Sequence, residues 1–534
     1  MTFTTNGRSS SVWMDDASEL NYPPLPGDLD TDVCVIGAGI AGLTTAYLLM
    51  KEGKRVTVID ALGVGAGESG RTTAHFFPPD EWYAGIEEKF GARQSRLVAD
   101  SYGRAIRLVE EIVAREAIEC GFERLDGYLF NLPGGKEKDL AAEVQAAVRA
   151  GVQAGLGDRV PGLPFDTGPC VRYHAQAQFH PVQYLVGLAG CLARNGAGIY
   201  ARTPALQVEQ TDHGQRISTP HGRILAGVVV VATNTPFNNR VVMHTKQAGY
   251  RSYVIGALVP AGSVPRILLW DTGSPYHYIR LHSLWHRPSH ELLLVGGADH
   301  KVGQDWHPEH CFAELEQWTR SRFPMALSVE YRWSGEVMEP ADGLAFLGRN
   351  PLDSDSVYII TGDSGNGMTH TAIGAMIIRD MVMRRANPWI ALYDPARKAT
   401  HGLGEFAREQ ANTVSQYADW MKGGEVESAA EIPPGQGAIV RDGAAKLAVY
   451  RDDEGGLHAV SARCTHLGCQ VHWNSVERSW DCPCHASRFA TDGAVLHGPA
   501  NTPLKAAQLP AIDDAAVRAA AGAASGIASG TLRK

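Results

Sequence analysis

The chain has 534 residues, 44% of them hydrophobic and 20% charged, with a formal net charge of -9. That balance describes ordinary globular domains with room for two or three cores, and it excludes a disordered or fibrous chain. A net negative charge without Lys or Arg blocks argues against nucleic acid as a partner, and no apolar run is long enough to span a bilayer.

Residues 1–30, rich in Ser, Pro and Asp, read as an extended lead-in without a secretion signal, so the expected location is cytoplasmic. DVCVI at 32–36 reads as a buried parallel strand, AGLTTAYLLMKEG as a helix stopped by Gly53, and RVTVID at 55–60 as a second strand. Helical spacing follows at 95–118 and 136–154. From 199 to 300 the pattern is strand-rich, and YIITG at 358–362 is a further buried strand with a helix after it. At 421–437 Gly, Pro and Glu replace apolar residues, which reads as a linker, and short strands beyond it suggest a small β domain. The tail from Asp513 is almost all Ala, Gly and Ser.

Gly37, Gly39 and Gly42 form G-x-G-x-x-G between the first strand and its helix. The first glycine allows the turn, the second lets a pyrophosphate approach the backbone, and the third lets helix and strand pack closely. Asp60 ends the second strand, where an acid that bonds a ribose hydroxyl belongs.

Four stretches in order over residues 30–385 resemble the D-amino-acid oxidase (DAO) superfamily, which points to FAD rather than NAD. They are the glycine-rich loop GVGAGESGRTTAHF with Arg71, Thr72 and Thr73, the stretch TPALQVEQ with Val208, VVVVATNT, and YIITGDSGNGMTHTAIG with Gly362, Gly365, Gly367 and Met368. Asn234 departs from the family, which has glycine there. The resemblance implies a Rossmann-like α/β FAD-binding domain with an interleaved antiparallel-sheet (α+β) substrate domain over 1–420. FAD-binding segments are expected at about 30–77, 170–236 and 330–390, and substrate segments at about 78–169 and 237–329. It also implies that Tyr278 and Arg280 line the substrate face and that Lys246 contacts the flavin. Glu339 stands where amino-acid oxidases carry an arginine for the substrate carboxylate, which favours an ammonium-bearing substrate.

Of 9 cysteines, Cys464, Cys469, Cys482 and Cys484 crowd into one stretch, which in a cytosolic chain points to metal. Cys464-x-His466 and Cys482-x-x-His485 are separated by a 15-residue gap. Zinc fingers also use two Cys and two His, but with C-x2–4-C and H-x3–5-H spacing. The stretch resembles Rieske domains, in which two cysteines bind one iron and two histidines the other. The resemblance implies a small all-β Rieske domain at 434–512 after a linker at 421–433, with Cys464, His466, Cys482 and His485 as [2Fe-2S] ligands. It further implies a Cys469–Cys484 disulfide, the alternative being two reduced thiols. Gly498-Pro499-Ala500 resembles a shielding proline loop, and Ala486 departs from the usual glycine. Ser487 keeps one hydrogen-bond donor of high-potential centres, whereas Phe489 lacks the hydroxyl of the other.

The fusion implies a dehydrogenase that oxidises a C–N bond of an amine or amino-acid-like substrate. Electrons would pass from FAD to the cluster and on to an external acceptor, a soluble carrier or quinone. The alternatives are a redox relay or sensor without turnover, and a reductase running in the opposite direction.

Overall fold

Val33, Cys34, Val35 and Ile36 are all buried, as a strand covered on both faces must be. In the computed structural model, which describes residues 5–17, 20–132, 139–238, 243–305, 307–398 and 403–509, they belong to the strand Leu29–Ile36. This strand lies between Gly222–Val231 and Val56–Ile59, parallel to both. Val357–Thr361 and Gly198–Tyr200 extend the parallel sheet on either side. Phe346–Arg349 and the hairpin of Gln207–Thr211 with Gly214–Thr219 join antiparallel. The helices Ile40–Lys51 and Gly367–Val382 contribute most of their residues to the core over this sheet. The second starts at Gly367, with the loop residue Asn366 at its N-cap.

A second sheet is largely antiparallel, in the order Val329–Pro340, Gln247–Pro260, His290–Lys301, His277–Ser283, Leu268–Asp271, Glu123–Phe130, Cys170–Gln178, His75–Phe76. The expected segment boundaries are corrected here. His75–Phe76, Cys170–Gln178 and Val329–Pro340 were assigned to the dinucleotide-binding segments, yet all three are strands of this second sheet. Sequence pattern cannot tell which sheet a crossing strand pairs with.

The lead-in is also more than an extended arm. Val12–Asp15 is a short helix, and Trp13 is fully buried.

The chain divides into two units, 1–300 with 310–408 and 301–309 with 409–534. The second unit holds a three-stranded sheet, Gly437–Asp442, Ala445–Arg451 and Leu457–Ser461, and a four-stranded one, His472–Asn474, Ser479–Asp481, Arg488–Phe489 and Val495–His497. The stretch 421–433, expected as a linker, is folded onto this unit. Ala429 and Ile432 are buried in a cluster with Ala438, Val440, Leu447 and Val449, and Val426 bridges Val440. Within the same unit Lys301 pairs with Glu409 at 2.7 Å, and Gln304 donates to the Pro483 carbonyl at 3.2 Å. The tail 513–534 lies outside the described residues. Among the described residues no helix is long and apolar enough to cross a membrane.

Candidate functional site

The turn after the first strand has no room for side chains. A Cβ on Gly37, at φ +112, would sit 2.4 Å from the Ala232 carbonyl oxygen, and one on Gly42 would sit 1.8 Å from that of Gly37. The turn therefore delivers bare backbone to the start of the helix Ile40–Lys51, whose N-cap Gly39 offers no capping side chain. The helix Gly367–Val382 likewise starts without a side-chain cap from Asn366. Two such N-termini suit the phosphates and the electron-rich edge of a dinucleotide, so the residues fit FAD. Asp60 accepts from the Ala38, Leu62 and Gly63 amides at 2.8–2.9 Å, so its carboxylate fixes both loops of the site. Asn234 adopts φ +61, a left-handed conformation that asparagine tolerates, which explains how it replaces glycine. Gly362 at φ +74 and Gly365 at φ +65 shape the closing loop before Met368, which is buried. Val208 is half-buried on the strand Gln207–Thr211.

The second sheet brings acids and tyrosines to this loop. Glu339 Oε2 accepts from Ser364 Oγ at 2.8 Å. Burial, with Asp363, Asp299 and Glu81 nearby, pushes the Glu339 carboxyl up to about 8 against the Ser364 bond. Burial likewise raises Asp363 and Asp299 to about 6. Tyr276 donates to Asp299 at 3.1 Å, and the Tyr278 hydroxyl meets Ser252 Oγ at 2.7 Å. The Tyr278 ring lies across Gly296, where a Cβ would meet it at 2.1 Å. Asp299, Asp363 and Tyr276 were missed as candidates. The alternation of Tyr276 and Tyr278 at the start of the strand His277–Ser283 and the acid inside TGDSGNG were the available signals.

Three expected roles are corrected. Arg280 does not offer its guanidinium to a substrate: it is buried, and Nη1 donates to the Thr73, Ala74 and Phe179 carbonyls at 2.7–3.1 Å. Lys246 turns its ammonium to the Pro395 and Arg397 carbonyls, at 2.8 and 3.0 Å. Arg71 gives its guanidinium to Thr5, Asn6, Ser9 and the Ser334 carbonyl. Thr72 Oγ1 accepts the Ala74 amide at 3.1 Å, and Thr73 is buried with its carbonyl on Arg280.

In the second unit, two loops converge. Cys464 and Cys482 are buried, and neither is in a disulfide. The His466 and His485 rings face edge to plane, 4.9 Å between centroids. Cys469 and Cys484 are joined in a disulfide that ties the loops together. Tyr417 donates to the Leu467 carbonyl at 2.9 Å and Trp420 to that of Gly468 at 3.1 Å, bracing the first loop. Two thiols and two imidazoles on rigid loops fit a Rieske centre. Ala486 takes φ +63, the left-handed region that favours glycine, at a cost of about 1 kcal/mol.

Ser487 is fully buried and accepts the Ala500 amide at 3.0 Å, and its hydroxyl favours the thiolate form of Cys464. A hydrogen bond to the sulfur stabilises the reduced centre. Ser487→Ala is therefore expected to lower the cluster's potential in a redox titration, and Phe489→Tyr to raise it if the new hydroxyl reaches a sulfur.

His472 ties the 417–425 segment to the same unit through Asp419 at 3.2 Å and Glu425 at 3.3 Å. Burial opposes its charge, but the two carboxylates prevail and raise its pKa. A raised folded value means stabilisation that is complete below the unfolded value, about 6.5, and lost as pH climbs through the folded one. The second unit is therefore expected to melt earlier at pH 9 than at pH 6, followed by the cluster's visible circular dichroism. About 1 kcal/mol corresponds to about 4–8 °C in a domain of this size. His472→Gln should remove most of that difference.

A dinucleotide fold joined to a two-Cys, two-His loop pair defines a flavin- and iron–sulfur-dependent oxidoreductase. The family model of FAD dependent oxidoreductases (DAO) matches residues 32–381, and that of the Rieske [2Fe-2S] domain matches 423–509. The chain belongs to the DAO family of FAD-dependent oxidoreductases and carries a Rieske domain; it is an enzyme whose cofactors are FAD and a [2Fe-2S] cluster. It is 30% identical to YhfW of Bacillus subtilis (strain 168), named as a Rieske 2Fe-2S iron-sulfur protein, over 93% of this chain and 97% of that one. It is 25% identical to gamma-glutamylputrescine oxidoreductase of Escherichia coli (strain K12), over 68% of this chain and 87% of the relative. Glycine oxidase from Geobacillus kaustophilus shares the fold, with a TM-score of 0.57 at 18% identity over 69% of this chain and 99% of that structure.

Proposed function

We propose that the enzyme is a dehydrogenase that oxidises a C–N bond of a cationic amine and passes the electrons to an external acceptor. FAD supplies two-electron acceptance and the [2Fe-2S] centre single-electron acceptance, a pairing suited to a soluble carrier or quinone as the final acceptor. The observation that carries the substrate class is the position of Glu339 among Asp363 and Asp299 beside the closing flavin loop. The charges that raise its pKa are all of its own sign, so an arriving ammonium would stabilise the ionised carboxyl and displace its proton. Tyr276 orients Asp299 for the same task. Arg280, the residue that could have gripped a substrate carboxylate, is bonded to three carbonyls instead. The gamma-glutamylputrescine oxidoreductase relative, named for an amine-bearing substrate, agrees with this reading.

Anaerobic stopped-flow mixing with a panel of amines, amino alcohols and neutral α-amino acids tests it. Amines without an α-carboxylate should bleach the flavin fastest, and cluster reduction should follow. Preferential reduction by small neutral amino acids would refute the substrate class.

A further inference from the structure

The family match begins at residue 32, yet residues 5–16 are built into the first unit. They meet the loop 63–74 and, beyond it, Ser334, His180 and His282. That loop leaves Asp60 and lies against the dinucleotide turn: Gly65 N donates to the Ala38 carbonyl at 3.1 Å, and Ser69 Oγ accepts from the Ile40 amide at 3.0 Å. It then runs to His75–Phe76 in the second sheet, so it passes along the dinucleotide site.

Its outward carbonyls are taken one after another. Asn6 N donates to Ala66 O at 3.1 Å, Ser11 Oγ to Gly70 O at 2.5 Å and Trp13 Nε1 to Thr72 O at 2.6 Å. Trp333 Nε1 donates to Arg71 O at 2.7 Å, and Arg280 covers the Thr73 and Ala74 carbonyls. Met14 packs on Gly70, where a Cβ would meet its Cε at 2.7 Å. Arg71 reaches back to Thr5, Asn6 and Ser9. Trp13 also lies under the Arg280 guanidinium, 5.2 Å from the ring centroid, and Asp16 pairs with His282 at 3.0 Å.

We propose that residues 5–16 are a positioning strap for FAD. By binding the loop's carbonyls it holds the backbone in the form that accepts the cofactor, so strap docking and FAD binding are linked. A ligand that favours the docked form must by reciprocity be favoured by it. A strap that only stabilised the fold would leave cofactor affinity unchanged.

Two measurements on the full-length protein decide. Amide hydrogen exchange of residues 5–16 is compared in the flavin-free and FAD-reconstituted protein, and exchange is expected to slow when FAD is added. Trp13→Phe keeps an aromatic side chain, though a smaller one, and removes the indole N–H. Flavin-free Trp13→Phe protein should bind FAD about tenfold more weakly in a fluorescence titration, the value of one buried hydrogen bond. The cluster's paramagnetic signal should stay unchanged, which reports an intact second unit. Equal exchange with and without FAD, or FAD affinity of Trp13→Phe within about twofold of wild type, would overturn the proposal.

Discussion

His485→Ala is expected to remove the Rieske-type paramagnetic signal and take iron from about two atoms per chain to near zero, while flavin absorption stays. Alanine offers no donor, and the neighbouring thiols cannot replace it, since Cys484 is held in the disulfide with Cys469. The FAD-binding residues belong to the other unit, so flavin content should not change. His458→Ala is the control. His458 is an exposed histidine of the same unit, paired with Asp452 at 2.8 Å. Losing an exposed pair costs little, so the signal should survive. Iron that persists in His485→Ala, or zinc in its place, would show that the ligand set is wrong.

The parts of this molecule that could be read in the sequence are those whose chemistry acts over a few residues. A parallel strand covered on both faces must be a short apolar run, and the turn after it needs glycine where a Cβ would meet a carbonyl; Val33–Gly42 satisfies both conditions within ten positions. The cluster loops were legible for the same reason, since Cys464 and His466 must share one turn, as must Cys482 and His485. Even the two glycine replacements, Asn234 and Ala486, have a local account in their positive φ. What could not be read depends on partners far along the chain. Arg71 meets Ser334 across 263 positions, and Trp13 meets Thr72 across 59. A lone tryptophan in a polar lead-in carries no periodicity, so the lead-in looked extended. Arg280 and Lys246 carry the right charge for a substrate site, but backbone carbonyls brought by other strands and loops satisfy both. The segment 421–433 has a linker's composition, and it is two buried side chains, Ala429 and Ile432, that fix it to the second unit.

Glu339→Gln is expected to cut kcat/KM for a cationic amine by about 10- to 100-fold, since a hydrogen bond to a charged partner is worth about 1.5–3 kcal/mol. The substitution preserves shape and the bond from Ser364, whose hydroxyl can donate to the amide oxygen as it does to the carboxyl. What it removes is the charge. In the wild type that charge depends on pH: with the carboxyl pushed up to about 8, it is mostly protonated at pH 7 and mostly ionised at pH 9. Asp363 and Asp299, at about 6, are already ionised over that range. The rate of flavin reduction at low substrate should therefore rise from pH 7 to pH 9 in the wild type. In Glu339→Gln that rise should flatten, leaving only the titration of the substrate itself. A merely structural role for Glu339 would lower the rate equally at every pH. Anaerobic stopped-flow reduction across that range, with one amine and both proteins, separates the two outcomes. An unchanged pH profile with undiminished kcat/KM in the variant would show that the substrate's ammonium is held elsewhere.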